Sequence, residues 1–444
     1  MQARRARSRF LLLGGLLLAG AAAGLAAQFN RNIHAFVIIV LLQGAVWAIA
    51  AAVIRLDRER RPSLALILGA AILLRAIALA SPVFLSDDIY RYVWDGRVLA
   101  AGVNPYRYLP TDPELAPLRD AAIFPNINRK EYAPTIYPPV AQMVFLVATR
   151  LGESVTAMKL ALVAIEAIGI WALIAVLSAA GSRQENILLY AWHPLPVWEI
   201  AGSGHIDAAI VAFVALALAA LLSGRSGWSG AALAAATLVK FVPLALAPAL
   251  WHPTRTNSAD WRWPTAFAAV VVLAYLPFIG VGRRVLGFLP GYVSEENLVA
   301  GGGFWLVRAL GIPVAAYLLF AAAILAFTAI GALRRPADPA ASLPWAAALG
   351  FTAVVLLSPH YSWYFVWLVA LLCAAPWWPG WWPSLTAALL YWDPASGQPP
   401  WVEFTIYGGF AIFCVVDFLW RMRRSAERPR APVGAKTSRN GRSR

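Results

Sequence analysis

Apolar runs recur from one end of the chain to the other, at 10–27, 33–54, 64–80, 137–151, 157–180, 187–201, 206–223, 230–250, 264–281, 311–333, 342–358, 362–376, 381–392 and 402–420. Several approach the roughly 20 residues that an α-helix needs to cross hydrocarbon. No water reaches a backbone N–H or C=O inside a bilayer, so only helices or a closed barrel span it, and continuous runs of this length are helical. The expected fold is an all-α integral membrane protein, a polytopic helical bundle of roughly 11 to 13 membrane segments. Composition agrees: 60% of the residues are hydrophobic and 13% are charged, against roughly 25% charged in soluble domains.

The net charge of +15 sits mostly in the two tails. Residues 1–9 carry four arginines and no acid, and residues 421–444 carry nine Lys or Arg against Glu427 alone. That is the signature of cytoplasmic flanks. It argues against nucleic acid as a partner, which would want bases on a folded face with interleaved aromatics. Residues 1–424 read as one membrane domain, and 425–444 as a basic, disordered cytoplasmic tail. The start also fits a signal peptide with a small-residue cleavage site. Cys373 and Cys414 lie inside apolar runs and read as small core residues, with no disulfide framework. No HExxH occurs among the five histidines, which argues against a zinc protease.

Alternating crossings from the two basic ends makes 81–136 a long extracytoplasmic loop and 282–310 a second one, with 252–263 on the cytoplasmic side. Between them five apolar runs satisfy parity in two ways. Either all five cross, or 137–151 is re-entrant or interfacial and 230–250 is a hairpin folded back at "KFVP", leaving three crossings. Tyr137-Pro138-Pro139 at the head of a short run and Pro243 after an intramembrane Lys240 favour the second.

Helix connections in bundles commonly run about 2 to 8 residues, so a loop as long as 81–136 is functional or disordered. Its sequence is structured. In "SDDIYRYVWDGRVLAAGVNPY" (86–106) the apolar positions follow helical spacing, and Gly102 with "NPY" closes the helix. Asp88, Arg91 and Asp95 share one face. Tyr90, Tyr92 and Trp94 suit the headgroup layer of a juxtamembrane helix. Helix capping explains one of Ser86, Asp87 and Asp88 well, but both acids less well. The alternative is an acid pair at the membrane surface, with one carboxylate acting as general base on a hydroxyl nucleophile.

That run, followed by "YPPVAQ", "WHPLPVWEIAGSGHIDA", "LVKFVPLALAP" and "LSPHYSWYFVWL" in this order, resembles the GT-C superfamily of polyprenyl-phosphate-sugar-dependent glycosyltransferases, especially its bacterial mannosyltransferase-like branch. The resemblance spans roughly Ser86 to Leu368. It implies a GT-C type bundle with juxtamembrane helices in its first outer loop, and a catalytic base at Asp87 or Asp88. It also implies a second polar cluster at His205 and Asp207 and a cation for the lipid phosphate at Lys240. Arg91 and Arg97 are further candidates for the leaving phosphate, and Tyr90, Trp94, Tyr137 and His360 for lining the site.

The implied reaction is an inverting transfer of mannose or a similar hexose from a polyprenyl-phosphate donor to a lipid, glycan or protein acceptor. The implied setting is the outer side of a bacterial cytoplasmic membrane, among membrane lipids. No cofactor is required; two adjacent carboxylates are able to bind a divalent metal, and nothing in the sequence assigns one.

Arg75, near the outer end of 64–80, reads as snorkelling. Asp95 reads as an i, i+4 partner of Arg91. Glu295, Glu296 and His360 sit at or near outer connections, where they either touch the acceptor or play structural roles, and the tryptophans of "PWWPGWWP" read as interfacial belt. The competing functional class is a transporter or flippase of lipid-linked sugars, which would show two matching halves that this chain lacks. A structural or assembly subunit is the third.

Overall fold

A computed structural model describes residues 2–57, 61–251, 260–358, 360–393 and 398–426; most of the basic tail lies outside the described residues. Every regular element among them is helical. Seven helices are long and apolar enough to cross a membrane: Ser8–Phe29, Ile33–Leu56, Val155–Ala179, Arg262–Glu295, Val314–Leu333, Pro339–Leu357 and Pro400–Arg424. Four shorter apolar helices accompany them, Leu64–Leu79, Pro139–Leu151, Asp207–Leu222 and Ser362–Ala374. The chain is a polytopic helical membrane protein. Of the apolar runs, 187–201, 230–250 and 381–392 form no such helix, because each is broken.

We number the principal helices α1 (Gln2–Phe29), α2 (Ile33–Leu56), α3 (Leu64–Leu79), α4 (Asp88–Ala100), α5 (Pro139–Leu151), α6 (Val155–Ala179), α7 (Asp207–Leu222) and α8 (Ser226–Thr237). They continue as α9 (Arg262–Tyr275), α10 (Leu289–Glu295), α11 (Trp305–Leu310), α12 (Val314–Leu333), α13 (Ser342–Leu357), α14 (Val366–Ala374), α15 (Trp378–Thr386) and α16 (Gly409–Ala426). The core lies where α6, α7, α14 and the broken segment 184–202 meet, and residues 206–212 are buried without exception. By contrast α9 and α12 present Val272, Leu273, Leu319 and Phe327 outward. Such a surface is a liability in water and ordinary in lipid.

The breaks have local causes. Pro194 and Pro196 remove two N–H donors from segment 184–202, His193 Nδ1 accepts from Leu195 N at 3.2 Å, and the chain proceeds as a π-helical turn over Val197–Gly202. α5 has 13 residues, a rise of about 20 Å, too short to cross about 30 Å of hydrocarbon. α8 stops at Leu238, and Pro243 starts a separate 3-10 turn, Val242–Leu246. The two short helices cap each other: the N–H groups of Val140 and Ala141, which have no partner within α5, donate to Leu238 O at 3.1 and 3.2 Å. This junction brings Tyr137 and Lys240 to the lining of one cavity.

α4 forms where the spacing predicts, and Gly102, at φ +77°, closes it with Val103 N donating to Val98 O. Its surroundings differ from the expectation. Tyr92 and Trp94 are buried in protein rather than set in a headgroup layer: Tyr92 stacks on Phe145 at 4.6 Å, and Trp94 packs on Phe124. Gly96 permits this, because a Cβ there would lie 2.4 Å from Phe145 O. The long loop is folded as expected, with short 3-10 turns at Pro113–Leu118 and Phe124–Asn126.

Arg75 does not snorkel. It is buried on α3 and meets Glu166 of α6 through two nitrogens, at 2.6 and 2.8 Å. Three of the clustered tryptophans also do more than face an interface. The indole N–H groups of Trp377 and Trp378 donate to Asp417 and that of Trp382 to Thr405 O, fastening α15 to the last helical segment.

Candidate active site

A cavity of about 420 Å³ opens where the long loop, the α8 break, the 282–310 segment and the residues after α13 converge. One wall carries Asp87, Asp88, Asn128 and Arg129, a second Tyr137 and Lys240, and a third Tyr292, Glu296, Tyr361 and Tyr364. Its size falls in the range of roughly 300 to 1,000 Å³ usual for small-molecule sites.

The acid wall comes from the turn entering α4. Asp87 holds the N-cap position but makes no side-chain capping bond; Ser86 Oγ instead accepts from Asp88 N at 3.3 Å. Capping therefore does not account for the two acids. Both carboxylates turn to Asn128, whose Nδ2 donates to Asp87 Oδ1 and Asp88 Oδ1, each at 2.9 Å. Asp87 is exposed and Asp88 half-buried. Burial raises Asp88 above the ordinary carboxylate range, with Lys240, Asn128 and Arg129 pulling it down and Asp87 pushing it up; the net direction is upward.

Lys240 projects from the α8 break. Its Nζ lies 2.6 Å from Asp207 Oδ2 and 4.9 Å from the centre of the Tyr364 ring. Asp207 opens α7 and is fully buried, and its Oδ1 has no hydrogen-bond partner. His205 stacks on the cavity residue Trp363 at 4.3 Å. Its ring nitrogens make no hydrogen bond, although Nε2 lies 3.4 Å from Glu199 Oε2. Glu199 accepts in turn from Ser362 Oγ at 2.5 Å and Tyr391 OH at 3.0 Å. Thus His205 and Asp207 stand one contact behind the cavity surface.

The third wall joins two distant stretches. Tyr361 stacks on Trp363 with ring centres 4.5 Å apart and donates to Glu296 Oε1 at 2.9 Å. Tyr292 and Tyr364 hydroxyls are 3.4 Å apart. The segment before α10 seats on the long loop: Phe288 N donates to Thr135 O at 3.0 Å, and Arg129 meets Glu295 at 2.6 Å. Gly287, at φ +57°, is required there, since a Cβ would lie 1.9 Å from Thr135 O.

The structure brings Asp87, Asp88, Arg91, Tyr137 and Lys240 to one cavity. Arg91 is occupied as a fastener: it donates to Ala133 O at 2.6 Å and meets Asp95 at 3.2 Å, the i, i+4 partner its spacing indicates. Arg97 does not reach the cavity. Its guanidinium holds Asp120 at 2.6 Å, Glu153 at 2.8 Å and Leu118 O at 2.9 Å, which clamps the long loop. Tyr90 and Trp94 lie off the lining, and His360 bridges Trp305 N and Tyr407 OH instead of facing it.

Asn128, Arg129, Tyr292, Tyr361 and Tyr364 are lining residues that sequence reasoning missed. Among the described residues, no group of three or more His, Cys, Asp or Glu side chains is arranged to hold a metal ion. A half-buried carboxylate, a lysine and ring faces on one cavity suit proton abstraction from a hydroxyl beside an anionic group.

Comparison with known proteins adds an independent line. Residues 11–254 match the family model described as alpha-(1->6)-mannopyranosyltransferase, N-terminal domain. That stretch contains the acid wall, Tyr137, Asp207 and Lys240, while the third wall lies beyond it. Alpha-(1->6)-mannopyranosyltransferase A of Mycobacterium tuberculosis is 24% identical over 389 residues, covering 80% of this chain and 74% of that protein.

Proposed function

Since this chain belongs to the alpha-(1->6)-mannopyranosyltransferase family, we propose that it moves a mannosyl or similar hexosyl group from a polyprenyl-phosphate donor to an acceptor hydroxyl, with inversion. Membership makes the chain a membrane glycosyltransferase and retires the transporter alternative. The observation that carries the finer reading is the convergence of Asp88, Lys240 and the ring-lined third wall on one cavity.

Asp88 is the general base. Its carboxylate takes the proton from the acceptor hydroxyl as that oxygen bonds to the anomeric carbon. The bond from that carbon to the phosphate oxygen breaks, and polyprenyl phosphate leaves with the electron pair. Lys240 and Arg129 supply positive charge near the departing phosphate. Lys240 is held for this by Asp207. The rings of Tyr361 and Tyr364 offer faces on which a pyranose packs, and Glu296 accepts from sugar hydroxyls. The cavity works at the outer face of a bacterial cytoplasmic membrane, where a lipid-borne donor meets its acceptor.

The test is transfer by purified protein supplied with mannosyl polyprenyl phosphate and an acceptor panel of lipid, oligosaccharide and peptide. A new glycosidic bond of configuration opposite to the donor's supports the reading. Transfer from a nucleotide sugar, with none from the lipid-linked donor, overturns it. Impermeant thiol labelling of a cysteine placed at Asn126 tests the side: labelling from the outside of intact cells is expected, and labelling only after lysis contradicts it.

A further inference from the structure

We infer that Asn128 is a positioning residue for the reaction, its amide bridging Asp87 and Asp88 so that Asp88 is kept oriented and ionised toward the cavity. The inference rests on the reading of Asp88 as the base. Nothing in the reaction as described above uses Asn128, which has no place among the sequence-level candidates.

The geometry is specific. One nitrogen, Nδ2, lies 2.9 Å from an oxygen of each acid. An amide nitrogen has two hydrogens, one for each carboxylate, and the flipped amide would turn its oxygen onto two acids. The bridge ties the acids through a part of the chain forty residues away, and that part is itself anchored on three sides. Ile127 before it is buried, Arg129 after it adopts φ +53° and pairs with Glu295, and Arg91 grips Ala133 O.

Two neighbouring aspartates repel, so without a donor between them one would take a proton as pH falls or both would swing apart. Asp88 shares the cavity lining with Asp87, Arg129, Tyr137 and Lys240, and the charge on its carboxyl is also felt by Asp207, Tyr92 and Tyr391 behind that lining. Asn128 adds a donor without adding charge. That lets the pair stay close without drawing on Lys240, which is held by Asp207, or Arg129, which is held by Glu295.

The sign follows. A donor to the carboxylate favours its ionised form, so losing the donor raises the pKa of Asp88, and the acid limb of kcat moves to higher pH. The experiment compares native protein, Asn128→Ala, Asn128→Asp and Asp88→Asn in kcat and KM across pH, with melting temperature and gel-filtration profile recorded for each. Asn128→Ala is expected to move the acid limb up by about one pH unit. Its deficit then shrinks as pH rises, and KM stays close to native. Asn128→Asp keeps the shape and adds a third carboxylate, so it moves the limb further in the same direction.

Asp88→Asn is expected to be nearly inactive at every pH. If it is inactive while the Asn128 variants keep the native limb, or lose the same fraction of rate at all pH values, the inference is overturned and the base assignment stands. If Asp88→Asn transfers normally, the base assignment falls and takes this inference with it.

Discussion

Two acid–base pairs join buried helical segments of this protein, and they are built to different standards. Arg75 and Glu166 meet through two hydrogen bonds, Tyr190 OH adds a third to the carboxylate at 2.9 Å, and Arg75 also donates to Ala191 O at 2.8 Å. Every polar atom of that carboxylate is engaged. Lys240 and Asp207 share one contact, Asp207 Oδ1 has no partner, and Lys240 looks onto the cavity. A saturated pair has nothing left to offer a substrate and serves as a staple. An unsaturated pair beside a cavity carries an unmet hydrogen-bonding demand, which is what a binding site needs. The residue types are nearly the same, and saturation separates the roles.

Breaking the staple gives the largest expected effect. Arg75→Met leaves Glu166 buried without its cation, so stability should fall by about 3 to 5 kcal/mol. That is read as a sharp loss of melting temperature in detergent, with the surviving folded fraction keeping its kcat. Lys240→Met combined with Asp207→Asn, which removes both charges and so leaves no buried acid without its cation, should do the reverse. It loses roughly 100-fold in transfer rate with a small change in melting temperature. A Lys240 and Asp207 double variant that unfolds as readily as the Arg75 variant would erase the contrast. The smallest effect belongs to the double replacement Arg75→Met with Glu166→Leu. Removing both charges together restores stability to within about 1.5 kcal/mol of native, whereas additive losses would show that the pair is not acting as one unit.

The same contrast explains what could be read from the chain alone. Hydrophobic runs need only neighbours in sequence, so the helical membrane architecture was legible, as were the α4 helix, the break at Lys240 and the acid pair. Charges reveal their presence but not their partners. Arg75 looked like a snorkelling residue because Glu166 lies 91 positions away. Arg97 looked like a phosphate ligand because Glu153 lies 56 positions away.

Asn128 sits in an ordinary polar loop stretch and gains significance only when the loop folds back onto Asp87 and Asp88. Apart from Glu296, the third wall was invisible for the same reason, being assembled from α10, its flank and the residues after α13. The run 187–201 read as a plain apolar segment although Pro194 and Pro196, visible in it, carried the signal for its break.

The most direct test of the account compares the transfer rates of Asp88→Asn and Asp87→Asn under saturating lipid-linked donor and acceptor. The account predicts that Asp88→Asn falls by about 1,000-fold while remaining folded and that Asp87→Asn keeps substantially more activity. Native-level transfer by the Asp88 variant would contradict it.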